Sequence, residues 1–177
     1  MATCANFQET LNAEEAYSMV EQRMFNVYVR NDRDALARIC SLLHRYALKA
    51  ESLSMAPTEK AGILQISLLI SGPAGVAPSR VEALLYKILN VVSVERVSED
   101  NAVMRSLTIL KVRATSQSRE EIARLSSLFS ARVIHETEEI LTIEIAGEKR
   151  TIAAVIEALR PHDITQLAET GIVAVRV

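Results

Sequence analysis

Four consecutive polar residues, Asn31, Asp32, Arg33 and Asp34, separate two segments of different hydrophobic periodicity. The segment before them alternates apolar and polar residues, as a half-buried strand does, whereas the segment after them repeats apolar residues at helical spacing. The four residues therefore bring the backbone N–H groups of a helix N-terminus just beyond the end of a strand. Because such a helix start readily accepts a carboxylate or a phosphate, this stretch predicts a small-anion sensor.

The two flanking segments must position this loop. In the first, Phe25, Val27 and Val29 occupy one face of the predicted strand. In the second, apolar residues recur at i, i+3, i+7 and i+10, the pattern of one face of an amphipathic helix: Leu36, Ile39, Leu43 and Tyr46. Asp34 directly precedes this helix, and its direct role is interpreted as capping the first turn, because aspartate is among the best N-cap residues.

The sequence contains no recognisable catalytic or metal-binding motif. His44, His135 and His162 lie far apart, and none has a Cys or His neighbour at metal-ligand spacing. No nucleophile elbow, Walker loop or glycine-rich dinucleotide loop occurs, and the acidic pairs at 120–121 and 138–139 are interpreted as solvated surface. We therefore predict no catalytic residue, no metal and no cofactor, which leaves binding and assembly as the expected roles.

Composition excludes several classes of partner. The 177 residues are 49% hydrophobic, and 20 Lys and Arg against 22 Asp and Glu give a formal charge of -2 without a basic block. Nucleic acid and an anionic membrane are unsupported, since both require concentrated positive charge. Cys4 and Cys40 are interpreted as reduced thiols. Because residues 1–4 do not open a basic n-region with an apolar core behind it, and no apolar run approaches about 20 residues, we expect neither export nor membrane insertion. The predicted location is the cytoplasm.

The order strand, helix, strand, strand, helix, strand is predicted twice along the chain, which is the ferredoxin-like α+β arrangement. We predict an N-terminal extension at 1–23, a first domain at 24–99 and a second at 102–177, joined by polar residues 98–101. Asn12 and Glu15 are spaced as a helix capping box within the extension, and an unstructured extension is the alternative. Each sheet is expected to have helices on one face only, so that its other face stays apolar or exposed for a partner.

Later segments carry a family resemblance. Residues 47–59 read ALKAESLSMAPTE and contain an E-S-L-x-x-A-P-T run directly after the first helix. Four further segments follow in order: FSARVI at 129–134, LTIEIAG at 141–147, LRPHDI at 159–164 and TGIVA at 170–174. Together these closely resemble the small, regulatory subunits of acetolactate synthase over residues 24–177. The resemblance implies that the first domain is an ACT domain.

The resemblance also implies a function. Members bind and stimulate a thiamine-diphosphate-dependent catalytic subunit in branched-chain amino-acid biosynthesis, and many transmit inhibition by valine or another branched-chain amino acid. It implies a homodimer through the ACT domains, with effector sites between the two copies. In this chain the effector residues would come from the loop of one copy and the second strand of the other: Asn31, Asp32, Arg33, Asp34, Ala35, Leu36, Lys49, Ala50, Glu51 and Ser52.

Two of these positions depart from the family pattern. The usual loop reads N-x-x-G-A-L, and Asp34 stands where the glycine would be. The usual G-Y-N-I-E-S-L has become ALKAESL, so Lys49 replaces the asparagine that would face the effector. We expect valine feedback to be weak or altered. We also expect Lys49 of one copy to pair with Asp34 of the other and to close the pocket.

Two other functional classes stay open. One is a free-standing ACT-type amino-acid sensor that regulates another metabolic enzyme or a transcription factor. The other is an enzyme in its own right, which the missing catalytic motifs disfavour. Co-purification with a large thiamine-diphosphate enzyme, co-purification with another protein, and turnover by the isolated chain would separate the three.

Overall fold

The computed structural model describes residues 21–31, 33–72 and 77–177. The chain divides into two compact units, and the boundary along the chain falls between Asn101 and Ala102. The first contains β1 (Glu21–Arg30), α1 (Ala35–Arg45), β2 (Lys49–Pro57), β3 (Ile63–Gly72), α2 (Pro78–Tyr86) and β4 (Val91–Val97). The second contains β5 (Ala102–Arg113), α3 (Arg119–Leu128), β6 (Arg132–Glu136), β7 (Ile140–Gly147), α4 (Lys149–Leu159), β8 (Ile164–Glu169) and β9 (Val173–Arg176). Asn12 and Glu15 of the predicted extension lie outside the described residues.

Both units have the strand order of a ferredoxin-like fold, which confirms the predicted α+β class with two βαββαβ units. The first sheet is ordered β2-β3-β1-β4, and the second is ordered β6-β7-β5-β8. All the pairings are antiparallel. β8 and β9 pair with successive parts of β5 on the same edge. Between these two parts, the Leu107 amide donates a hydrogen bond to the Thr170 hydroxyl at 3.0 Å.

The core of the first unit lies between its sheet and its two helices. Phe25, Val27 and Val29 project from β1 into this core, as predicted. Helix α1 differs slightly from the prediction: its buried residues are Ala35, Ile39 and Leu43, whereas Leu36 is half-buried and Tyr46 follows the last helical turn. The helix begins at Ala35, one residue before the predicted stripe. Its buried residues are four apart, so Ala35 faces the core in place of Leu36.

Helix α2 begins with Pro78 in its first turn, at a position where proline is tolerated. Its buried side chains are Val81 and Leu85, while Leu84 is half-buried and Ile88 follows the end of the helix. The buried side of this element is therefore partly supplied by the turn after the helix.

The prediction that β1 is a half-buried strand is wrong over residues 23–27, which are buried on both faces. On the face away from the helices, Asn26 is 0% exposed and Ser67 of β3 is 2% exposed. The Ser67 hydroxyl donates a hydrogen bond to Asn26 Oδ1 at 2.9 Å. The centre of this face is thus buried, not open, and it holds Met24 and Leu69 beside a polar pair whose amide and hydroxyl satisfy each other.

The second unit has a more regular alternation. Leu110 and Val112 of β5 face the helices and pack with apolar residues of β7, α3 and α4: Leu141, Ile143, Ile145, Ile122, Ile152, Val155 and Leu159. α4 ends at Leu159 and a 3₁₀ turn, Arg160–His162, follows it, as expected from Pro161. Across the described ranges, no helix combines the length and the apolar character that crossing a bilayer requires.

Candidate effector site

The loop between β1 and α1 is fixed to the neighbouring hairpin. The Asn31 amide donates to the Gly62 carbonyl at 2.8 Å, and the Arg30 amide donates to the Asn90 carbonyl at 2.9 Å. Asn31 and Arg33 are exposed beside this anchor, and Asp32 lies outside the described residues. Gly62 has a positive φ of 78°, which a glycine adopts without strain. The β2–β3 hairpin can therefore make its tight turn next to the β1–α1 loop. The loop therefore sits at a defined end of the sheet.

Asp34 occupies the N-cap position of α1 but does not cap the helix with its side chain, so the predicted capping role is wrong. Its carboxylate instead forms an ion pair with Arg38, one turn further on, at 3.4 Å. The Asp34 backbone has φ of −93°, a conformation that any residue adopts, so the position does not require glycine. Its side chain is 68% exposed, which places a carboxylate at the mouth of the predicted anion site.

The second predicted half of the site is the start of β2. The strand is irregular between Ala50 and Ser52, where Glu51 is the extra residue of a bulge. The bulge turns Glu51 toward the sheet, where its carboxylate accepts a hydrogen bond from the buried Ser71 hydroxyl. Lys49 Nζ pairs with the other oxygen of Glu51 at 3.0 Å. Within one copy, therefore, Lys49 is directed to Glu51.

The two halves of the predicted site lie at opposite ends of the sheet within one chain. Lys49 is level with Ser71 and Gln22, whereas Asn31 follows the last residue of β1. The nine residue steps from Gln22 to Asn31 correspond to roughly 30 Å at the usual strand rise. The structure thus does not bring Asn31, Arg33 and Asp34 together with Lys49 and Glu51 in one copy. A complete site of this kind requires a second copy.

One titratable group near the loop has a displaced pKa. Tyr28, near the loop end of β1, donates from its hydroxyl to Glu95 Oε2 at 3.3 Å. Its pKa is raised above the ordinary value of 10.0, first by burial and then by the negative charge of Glu95. Both causes favour the neutral phenol, because they disfavour a second negative charge at this end of the sheet.

Sequence reasoning missed two residues of this region. Arg38, which neutralises Asp34, has a local signal, since acidic and basic residues four apart on a helix commonly pair. Ser71, which holds Glu51, has none, because it comes from a different strand. In the part of the chain that the structure describes, no group of three or more His, Cys, Asp or Glu side chains could hold a metal ion.

Two units with the βαββαβ order and an ACT-like fold define the structural class of the chain. The family model described as the small subunit of acetolactate synthase matches residues 105–177. The acetolactate synthase small subunit of Mycolicibacterium smegmatis is 33% identical over 153 residues, covering 85% of this chain and 88% of that protein. The small subunit of Haemophilus influenzae is 30% identical over 155 residues, covering 87% and 94%.

The crystal structure of the small subunit from Thermotoga maritima supports the same fold. It aligns with a TM-score of 0.81 at 24% identity and covers 89% of this chain and 98% of that one. The chain therefore belongs to the acetolactate synthase small subunit family, whose members are regulatory subunits.

The displaced pKa of Tyr28 gives a first prediction. The difference in tyrosinate absorbance between the unaltered chain and Tyr28→Phe should titrate with a midpoint above 10.0. In denaturant the midpoint should return to about 10. A raised folded-state pKa means that the associated stability is complete below the unfolded-state pKa and is lost as pH rises through the folded-state pKa. A folded-state midpoint at or below the denatured one would contradict the assigned environment.

Proposed function

We propose that this chain is a non-catalytic regulatory subunit that binds and stimulates the thiamine-diphosphate-dependent catalytic subunit of acetolactate synthase. Its place is branched-chain amino-acid biosynthesis in the cytoplasm. The similarity to curated small subunits over most of both chains carries this proposal. The sequence adds that recognisable motifs for a nucleophile, a metal or a cofactor loop are missing, so the expected action is on a partner.

The proposal includes a homodimer formed through the first unit. β2 is an edge strand of its sheet, and edge strands present backbone groups that can pair with another chain. A two-fold axis that pairs two β2 strands antiparallel would bring the start of β2 in one copy near the β1–α1 loop of the other. This arrangement reunites the two halves of the effector site, which lie at opposite ends of the sheet within one copy.

Feedback by valine is proposed to be weak or altered. A valine carboxylate at the start of α1 would approach Asp34, and like charges about 4 Å apart repel by about 4 kcal/mol at an effective dielectric of ~20. The ion pair with Arg38 offsets part of this repulsion, yet a quarter of it would still lower affinity several-fold. Lys49 of a second copy would have to leave Glu51 to reach Asp34, and the exposed pair it would form contributes only ~0–1 kcal/mol. Its proposed effect is therefore occlusion of the pocket.

The central test is enzymatic. Acetolactate formation from pyruvate should be absent with this chain alone and several-fold faster for the cognate catalytic subunit when this chain is added. Absence of both stimulation and a complex on a sizing column would contradict the proposal. A complex with a different enzyme or with a transcription factor would favour the free-standing sensor, and turnover by the isolated chain would favour an enzyme.

The dimer proposal predicts a difference between the two sheet edges. Met55 on β2 and Val92 on β4 are similarly exposed, at 47% and 52%. Met55→Lys should weaken self-association by about tenfold or more, since lysine on an edge disfavours strand pairing, whereas Val92→Lys should leave it unchanged. Sedimentation at low micromolar concentration measures both. A folded monomer of the unaltered chain, or equal effects of the two substitutions, would argue against pairing through β2.

The valine proposal predicts that restoring the family residues restores binding. Calorimetric titration with valine, leucine and isoleucine should show weak or no binding to the unaltered chain and stronger binding to Asp34→Gly combined with Lys49→Asn. Lys60→Asn, an exposed change on the β2–β3 hairpin, serves as the control. Micromolar binding of valine by the unaltered chain, or a folded double variant that binds none of the three amino acids, would contradict this explanation.

A further inference from the structure

A cleft between the two helices of the first unit is not explained by the effector site. It has a volume of about 310 Å³ and lies between α1 and the C-terminal part of α2 with the turn that follows it. Its apolar lining includes Leu42 from α1, Leu84 from α2 and Ile88 from the turn. Ile88 belongs to the buried core of the unit and Leu42 packs against that core, so the base of the cleft is continuous with the core.

Positive charge surrounds this apolar base. Arg38 and Arg45 of α1 and Lys87, directly after α2, line the cleft, and none of its described lining residues carries a carboxylate. Arg38 forms an ion pair with Asp34 at 3.4 Å. Arg45 and Lys87 are exposed, and neither forms an ion pair with a described carboxylate. The concentration of like charge is local, because the whole chain has a formal charge of -2.

The spacing of the cations indicates the size of the occupant. Arg38 and Arg45 are seven residues apart on one helix, which places their backbones about 10 Å apart along its axis. A row of cations of this length matches an extended segment with two or more carboxylates better than one small anion, which would require both side chains to converge. Leu42 lies between the two arginines at the base, where an apolar side chain of the same segment would be buried.

We infer that this cleft docks an acidic segment of the partner protein, with carboxylates over Arg38, Arg45 and Lys87 and an apolar side chain between the helices. The inference rests on the proposed function, because it takes the catalytic subunit as that partner. The charges at the rim are solvent-exposed, so they should mainly govern the rate of association and its dependence on salt. The buried apolar side chain should then slow dissociation.

The test is a charge reversal in the full-length chain. Arg45→Glu combined with Lys87→Glu should raise the apparent Kd for the purified catalytic subunit, measured by titrating its stimulation, by about tenfold or more, with the maximal stimulation kept. The matched control is Lys60→Glu combined with Arg80→Glu, which changes net charge equally at exposed positions outside the cleft and should leave Kd within about twofold. Added salt should raise Kd more for the unaltered chain than for the cleft variant.

The possible outcomes separate this inference from the proposed function. If the unaltered chain stimulates and the cleft variant does so with the same Kd, the inference is wrong and the proposed function stands. Equal weakening by both double variants would reflect net charge alone and would also overturn the inference. If the unaltered chain neither binds nor stimulates the catalytic subunit, both proposals fall together.

Two further measurements guard against indirect effects. Sedimentation should show the same self-association for the cleft variant as for the unaltered chain, and Arg45→Gln with Lys87→Gln should give a smaller rise in Kd in the same direction. If the glutamine variant has no effect while the glutamate variant loses self-association, the cleft is not the docking surface. Calorimetry with citrate tests whether the cleft binds a small anion instead. If the cleft substitutions abolish citrate binding but leave the Kd for the catalytic subunit unchanged, the cleft is a small-anion site and the inference is overturned.

Discussion

The register between β1 and β3 is the constraint on which the rest of the first unit depends. All ten residues of β1 pair with β3, and β1 also pairs with β4. Because side chains alternate with a period of two, a slip of one residue would move Phe25 and Val27 out of the core and Asn26 into it. The hydrogen bond between Asn26 and Ser67 opposes that slip, since a buried polar group left without a partner costs about 1–3 kcal/mol.

This register fixes the geometry of the proposed effector site. It sets the β1–α1 loop beside the Gly62 hairpin and sets the start of β2 at the other end of the sheet, level with Ser71. The bulge at Glu51 then directs a carboxylate toward Ser71 and Lys49, so the residues at the start of β2 already satisfy one another in a single copy. A ligand or a second copy must compete with these local pairs.

Much of the fold could be predicted because it depends on periodicity within short segments. The strand at Phe25, the helix at Ile39 and the end of α4 before Pro161 each follow from local spacing or from the restrictions of proline, and the structure has all three. The pairing of the buried Asn26 could not be predicted, because its partner Ser67 lies 41 residues away in the chain. The pairing of Glu51 with Ser71 could not be predicted for the same reason. The pairing of Asp34 with Arg38 does follow the i, i+4 spacing of a helix, but the preference of aspartate for the N-cap favoured a different role for Asp34.

Arg38 connects the two regions that the proposals concern. It pairs with Asp34 at the loop and also lines the cleft between the helices, so one side chain belongs to both places. On the proposed docking mode, a partner carboxylate that draws Arg38 away leaves Asp34 less compensated and makes the loop less favourable for an anionic effector. By linkage, an effector whose carboxylate recruits Arg38 weakens docking by the same factor. On these two proposals, Asp34 would do more than change the charge of the pocket. It gives Arg38 an ion-pair partner at the loop, and the two proposed sites would compete for that arginine.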